Sequence, residues 1–179
     1  MSSVPADKPA LRLALAFVNT YDVLSSPQDY LTVAAACRLA QRHGLDDLAQ
    51  TLAGADLDEL RGLRTGLYRV FAGETPGERV AALGALLDAQ QTRAALVDDG
   101  GLRLAAVHDG PNPARRLGAL LADALAQAMV AGGPDRFGTC VGHPCRCAYV
   151  DRTRAGRQRY CCGLCNDRMS AAAYRARAR

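Results

Sequence analysis

The chain has 179 residues, nearly half of them hydrophobic but few aromatic, no tryptophan, and a net charge of +4. That leaves room for one ordinary domain and a small appendage but not for two large domains, and the core has to be aliphatic. No run reaches the roughly 18 apolar residues of a membrane span, and Lys8, Arg12, Asn19 and Thr20 interrupt the first apolar segment, so a soluble chain without a signal peptide is expected.

Residues 11–18 (LRLALAFV) read equally as a buried strand or as the first turns of a helix, because a short apolar run has no decisive period. Ser25 and Ser26 followed by Pro27 predict an N-cap with proline at the first helical position, hence a helix over about 27–43 that Gly44 ends. Asp56 or Asp58 starts the next helix, where Leu57, Leu60, Leu63, Leu67, Val70 and Phe71 recur at three- and four-residue steps. Thr75 and Pro76 open another, through Val80, Leu83, Leu86 and Leu87, and the two helices are expected to be antiparallel neighbours. Near-alternation on both sides of Asp98-Asp99-Gly100-Gly101 predicts a β-hairpin over 94–107. A helix from Pro113 to Val130 closes at Gly132-Gly133-Pro134. The expected organisation is therefore a helical body, 1–134, and a separate C-terminal module, 135–179.

Charge divides the chain at the same place. Residues 1–135 hold twelve Lys and Arg against sixteen Asp and Glu, whereas residues 136–179 hold ten Arg against two Asp. An acidic body with a strongly basic end points to a polyanionic partner for the end alone. Six of the seven cysteines lie in that end. Cys140 with Cys145 and Cys161 with Cys165 form two pairs of the kind that approach one metal from single turns of chain, and zinc takes four such thiolates. Cys162 has an equally acceptable spacing to Cys165, so the third ligand is Cys161 or Cys162. Cys147 is expected to be a packing thiol and His143 a surface residue. The two tidy pairs favour zinc over iron, although an iron–sulfur cluster also takes four cysteine thiolates.

Between the pairs, residues 147–161 fit a short hairpin around Ala155-Gly156, followed by a helix for which Asn166 or Asp167 is a candidate cap. The result is a treble-clef-like finger. On the helix, Arg168, Arg175 and Arg179 share a face, while Arg152, Arg154, Arg157 and Arg159 form a second basic set in the hairpin. The fold class expected for the whole is mainly α (α+β): a helical body with a small β-hairpin, then a zinc finger ending in a basic helix.

From Cys140 to Arg179 the chain resembles the CGNR zinc finger, a bacterial module. The features that carry the likeness are Cys140 and Cys145, Tyr149, Asp151, the arginines from Arg152 to Arg159, Tyr160-Cys161, and Cys165-Asn166-Asp167-Arg168. Asn166-Asp167 stands where the name motif has Gly-Asn, and Cys147 where an aromatic is usual. The resemblance implies Cys161 as the third ligand. The body resembles the ABATE domain, a stress-induced transcription regulator domain commonly found ahead of this finger, through the apolar segment ending in Asn19-Thr20. That likeness makes Asn19 and Thr20 candidate ligand-pocket residues.

What the resemblance implies is a zinc-dependent transcription regulator in the bacterial cytoplasm, associated with the nucleoid when bound to double-stranded DNA. The finger binds DNA, and the body senses a small molecule or mediates homodimerisation. Two alternatives stay open: a zinc-stapled module for protein or RNA, and a zinc–thiolate redox sensor using the spare thiols Cys147 and Cys162. An enzyme is not expected, since the chain has no H-E-x-x-H, phosphate-binding glycine loop or G-x-S-x-G, and a zinc with four thiolates has no open position for water.

Overall fold

The computed structural model describes residues 8–24, 27–98 and 100–177. Residues 11–18 are helical: α1 (Pro9–Val18) starts with proline at its first position and buries Leu11, Leu13, Ala14, Phe17 and Val18. Apolar residues on several faces suit a helix surrounded by others, and α1 packs against helices α2 (Val33–Arg42), α4 (Leu57–Ala72) and α6 (Pro113–Gly132).

The helix expected over 27–43 begins only at Val33, which corrects the sequence reading. Its proposed cap, Ser25-Ser26, lies outside the described residues. The chain first makes a small antiparallel pair, β1 (Tyr21–Asp22) with β2 (Gln28–Asp29), and the Tyr30 N–H continues it by donating to the Thr20 carbonyl. The Asp29 carboxylate accepts two hydrogen bonds from the Arg64 guanidinium, at 2.5 and 2.9 Å, and Arg61 lies 3.4 Å away. Those two arginines sit on α4, so a contact spanning 35 residues outweighs the local proline signal. Thr32 then caps α2 by accepting from the Ala35 N–H.

The Arg64 hydrogen bond also holds the Asp29 carboxyl at about 2, against a partial opposing effect of burial. A folded-state value below the ordinary one means that the contact stabilises the fold above about pH 4 and ceases to do so as pH falls toward 2. In urea denaturation the Asp29→Asn variant should therefore lie below the parent at pH 7 and converge on it near pH 2. A gap that persists at pH 2 would show that this carboxylate is not the source.

Gly44, at φ +71, ends the second helical segment, and a short helix absent from the sequence reading follows, α3 (Asp46–Leu52), burying Ala49 and Leu52. The next two helices begin where expected. Asp56 accepts from the Asp58 and Glu59 N–H groups at the start of α4, and Thr75 accepts from Glu78 at the start of α5 (Pro76–Ala89). The hairpin is formed by β3 (Arg93–Asp98) and β4 (Leu102–Val107), with Leu96 opposite Leu104. It rests on α6, where buried Asp123 accepts from Arg103 at 2.8 Å and from the Ala106 N–H at 2.9 Å. No helix among the described residues is long and apolar enough to cross a membrane.

After Gly133, at φ +89, a 3-10 turn (Pro134–Arg136) leads into β5 (Phe137–Thr139), which pairs antiparallel with β6 (Ala148–Val150). Packing does not pause at the glycine. Phe137, 1% exposed, stacks at 5.5 Å on Phe71 of α4, and Ala148 and Val150 join the same aliphatic core. The chain ends in α7 (Gly163–Arg177), of whose described residues only Cys165 is buried.

Candidate metal centre and nucleic-acid interface

The β5–β6 pair has a consequence for the loop it encloses. Two short antiparallel strands bring Thr139 opposite Ala148, so residues 140–147 must reverse within a few residues, and Cys140 and Cys145 end up facing one point. The Gly142 N–H donates to the Cys140 sulfur at 3.4 Å, and the Cys145 N–H donates to the Gly142 carbonyl. Gly142 fits closely here: a Cβ would meet Tyr160 at 3.3 Å and the Cys140 sulfur and Cys165 at 3.4 Å, so the neighbours would have to give by a few tenths of an ångström. The Cys140 N–H closes the loop on the Cys147 carbonyl.

The second pair arrives by a different route from the one expected. Residues 151–160 form no ladder with each other; β6 pairs instead with β5, on the other side of the first cysteine pair. Asp151, 3% exposed, organises the loop in place of a hairpin. Its carboxylate accepts from the Thr153 N–H at 2.7 Å, the Thr153 hydroxyl at 2.6 Å and the Gln158 N–H at 2.9 Å. Arg136 lies 3.9 Å from it and donates to the Thr153 carbonyl. The Tyr149 hydroxyl donates to the Gln158 carbonyl, and the Val141 N–H to that of Arg159, which lays the returning chain along the first knuckle. Burial by itself would raise the Asp151 carboxyl; the hydrogen bonds from Thr153 and Gln158 outweigh it and lower it below the ordinary value.

The sulfurs of Cys140, Cys145, Cys161 and Cys165 all lie within 4.8 Å of one another. Cys145 to Cys161 is 3.7 Å and Cys161 to Cys165 is 3.8 Å. A tetrahedron with zinc–sulfur bonds of about 2.3 Å has edges of about 3.8 Å, so these residues fit a single zinc ion, and the cluster is too tight to enclose several irons. The alternatives resolve accordingly. Cys161 is in the cluster, and Cys162 is exposed outside it with its sulfur 3.9 Å from that of Cys161. Cys147 is half-buried against the cluster, and His143 is exposed and outside it.

Without a cation Cys161 and Cys165 resist ionisation, whereas at Cys145 burial raises the thiol but is outweighed by hydrogen bonds with Cys147, Cys161 and Cys140, which lower it. Burial, then hydrogen bonding with Cys145, pushes Cys165 up to about 12, and burial with contacts to Cys145 and Cys165 pushes Cys161 higher still. Bound zinc reverses this by fixing them as thiolates. Arg168 adds positive charge beside them, donating to the Cys165 sulfur at 3.7 Å and to the Gly142 carbonyl.

That contact changes the part Arg168 plays. It is half-buried and braces the knuckle, whereas Arg175 stands exposed on α7 and Arg179 lies outside the described residues. The helix begins at Gly163, so Asn166 and Asp167 are its fourth and fifth residues and not its cap. Arg152, Arg154, Arg157 and Arg159 are all exposed on the Asp151 loop, with the Arg159 guanidinium 6.0 Å over the Tyr160 ring.

Asn19 and Thr20 are committed to other contacts. The Asn19 side chain donates to the Ala148 carbonyl at 2.9 Å and accepts from the Ala148 N–H at 2.8 Å, pairing the end of α1 with the finger as a strand would. It also edges a 530 Å³ cleft with Arg12, Cys147 and Arg152. The Thr20 hydroxyl donates to the Phe17 carbonyl and accepts from Arg64. Beside it, a 310 Å³ cleft between the body and the first knuckle is lined by Tyr21, Val23, Arg64, Thr65, Tyr68 and Arg146. Sequence reasoning missed Arg136, Arg146 and Gly142. Only Gly142 carried a signal, being a glycine inside a four-residue knuckle.

Two family models match the chain in order. One, described as "Putative stress-induced transcription regulator" and named ABATE, covers residues 11–133, and the CGNR zinc finger covers residues 136–178. No curated protein matches it.

Proposed function

Because the chain belongs to the ABATE family and carries a CGNR zinc finger behind that domain, we infer that it is a zinc-dependent, DNA-binding transcription regulator. The observation that carries this reading is the position of the charge: the exposed arginines of the Asp151 loop and of α7 extend from one metal-braced knuckle, beside an acidic body. Cationic side chains on a loop and on a helix give two lines of contact to a phosphate backbone. The helix is held at its first turn and is otherwise solvated, which leaves its length available to a groove. The metal is structural in this reading, because four thiolates complete its coordination and no substrate position remains. The cytoplasm and nucleoid are the places where such a protein would work.

The sensing half of the reading falls on the 310 Å³ cleft. It is the size of a small-molecule site, and it is walled by both parts of the chain, since the Tyr68 hydroxyl donates to the Arg146 carbonyl across it. A ligand seated there would touch the body and the knuckle at once.

Fluorescence anisotropy of the zinc-loaded chain on a mixed-sequence duplex tests the DNA-binding half. Affinity should fall with salt by about 0.9 log unit per decade for each phosphate neutralised. The double variant Arg175→Glu, Arg177→Glu should bind roughly ten- to a hundred-fold more weakly near 0.1 M salt and show a shallower slope. Duplex binding that is absent, or indifferent to both salt and charge reversal, would sink the reading.

A further inference from the structure

Helices α4 and α5 are joined by residues 73–75 alone and run antiparallel, yet they leave a groove that their own side chains do not fill. Their facing residues are small: Gly62 and Gly66 on α4, Ala82, Ala85 and Ala89 on α5, with Ala114 at the start of α6. The cleft they line has a volume of 520 Å³, within the range of small-molecule sites. Every lining residue lies between Glu59 and Arg115, so the cleft belongs to the body alone and is distinct from the 310 Å³ cleft beside the knuckle.

Small residues by themselves make only room. What points to an occupant is Gln90, the residue after α5. It is 8% exposed and lines the cleft, but its side-chain amide has no hydrogen-bond partner among the described residues. Gly118 of α6 makes the place for it. The amide oxygen and Cδ lie 2.4 and 2.6 Å from where a Gly118 Cβ would stand, which leaves the NH2 group as the end turned away from that glycine. A buried amide without a partner costs stability, and an acceptor on a ligand would answer it.

The charges around the cleft say what kind of acceptor. Arg115, in the first turn of α6, and Arg69 on α4 both line it, and neither guanidinium has a partner among the described residues. Glu59 is the one acidic residue of the lining, and both of its carboxylate oxygens accept from the Asn112 amide. The positive end of the α6 dipole adds to Arg115. We propose that this cleft binds a small organic carboxylate, whose apolar part lies along the glycines and alanines between α4 and α5 and whose carboxylate accepts from the Gln90 NH2 group and pairs with Arg115. An inorganic anion would leave the apolar walls in water, and a neutral ligand would leave the guanidinium unanswered.

Two-dimensional amide NMR of the zinc-loaded full chain, titrated with phenylacetate in the absence of DNA, tests the proposal, with phenylacetamide and inorganic phosphate as controls. Phenylacetate should shift the Gln90 side-chain NH2 pair and the amides of Gly62, Gly66 and Arg115 saturably, with a Kd of about 1 mM or tighter. Both controls should bind at least about tenfold more weakly. Gln90→Met keeps the length of the side chain and removes the donor, and Arg115→Gln removes the charge; each should weaken binding about tenfold. Gln90→Met should also melt no lower than the parent, which an amide with a structural partner would not allow. Gly62→Leu fills the cleft from a position where a Cβ meets nothing within 4 Å, so it should abolish binding with the parent's circular dichroism. The absence of a saturable shift at these residues by about 10 mM overturns the proposal. So does equal binding of phenylacetamide, or binding that Gln90→Met or Gly62→Leu leaves unchanged. Because no DNA is present, the outcome is independent of the DNA-binding reading.

Discussion

Chelating zinc from the full chain is expected to unfold residues 140–147 and 161–177 and leave the helical body, with β5 and β6 packed on it, standing. The four sulfurs form a cluster with few other buried groups around it: Cys147, Tyr160 and Cys161 are the partly buried residues packed on Cys140, Cys145 and Cys165. The metal therefore supplies most of what holds the two knuckles together, on the scale of about 10–16 kcal/mol seen in small zinc modules at neutral pH. Helix α7 is tied to the fold through Cys165 and Arg168, both at this cluster, so it should lose its order with the ion. The body should respond less. Phe137, Ala148 and Val150 belong to its own core and do not depend on the sulfurs. Metal analysis should give one zinc per chain, and two-dimensional amide NMR should lose the dispersed resonances of 140–147 and 161–177 on chelation while those of α1 to α6, β5 and β6 persist. Cys165→Ser should reproduce the loss, whereas Cys162→Ser and Cys147→Ser should retain the ion. Zinc retention by Cys165→Ser, or loss on Cys162→Ser, would refute this ligand set.

The second large effect is expected at Asp151. Its carboxylate is the shared acceptor for three donors in the loop between the knuckles, beside the guanidinium of Arg136. Asp151→Ala removes a buried charge and strands those donors and Arg136 together, a change that costs about 3–5 kcal/mol in comparable buried pairs. The loop delivers Cys161, so the deficit should be read in the metal: roughly a hundred- to a thousand-fold weaker zinc binding in competition with a chromophoric chelator. Asp151→Asn keeps one acceptor oxygen and should fall between the two. Zinc affinity within tenfold of the parent for the alanine variant would mean that the loop is organised by something else.

What could be read from the sequence follows from how far apart the deciding contacts lie. Helices α4, α5 and α6 announce themselves because Asp56, Thr75 and Asn112 cap them within three residues and their leucines repeat at helical spacing. The β3–β4 turn is equally local, with Gly100 and Gly101 at positive φ. The stretch before α2 was misread because Asp29 answers to Arg64, 35 positions on, and nothing near Pro27 reports that partner. Helix α3 has no side-chain cap and only two buried residues, too weak a pattern to notice. In the finger, cysteine spacing located the metal, but the strand pairing went to the wrong side. Residues 151–160 alternate as a strand would, yet Asp151 supplies a side-chain acceptor that the alternation does not reveal. Asn19 was noticed without its use, because its partner, Ala148, is 129 residues away.

The Asn19–Ala148 pairing also has a mechanical side. Helix α7 has 15 residues, so it is about 22 Å long at 1.5 Å per residue, and it is anchored at one end. It is a lever whose fulcrum is the knuckle, and the amide of Asn19, with Phe137 and Val150 in the body's core, mounts that fulcrum on α1 and α4. A tilt of about 10° at the mount would swing the far end of such a rod by about 4 Å, close to the rise of one base-pair step. The reach of Arg175 and Arg177 is thus geared to how β5 and β6 are mounted on α1 and α4.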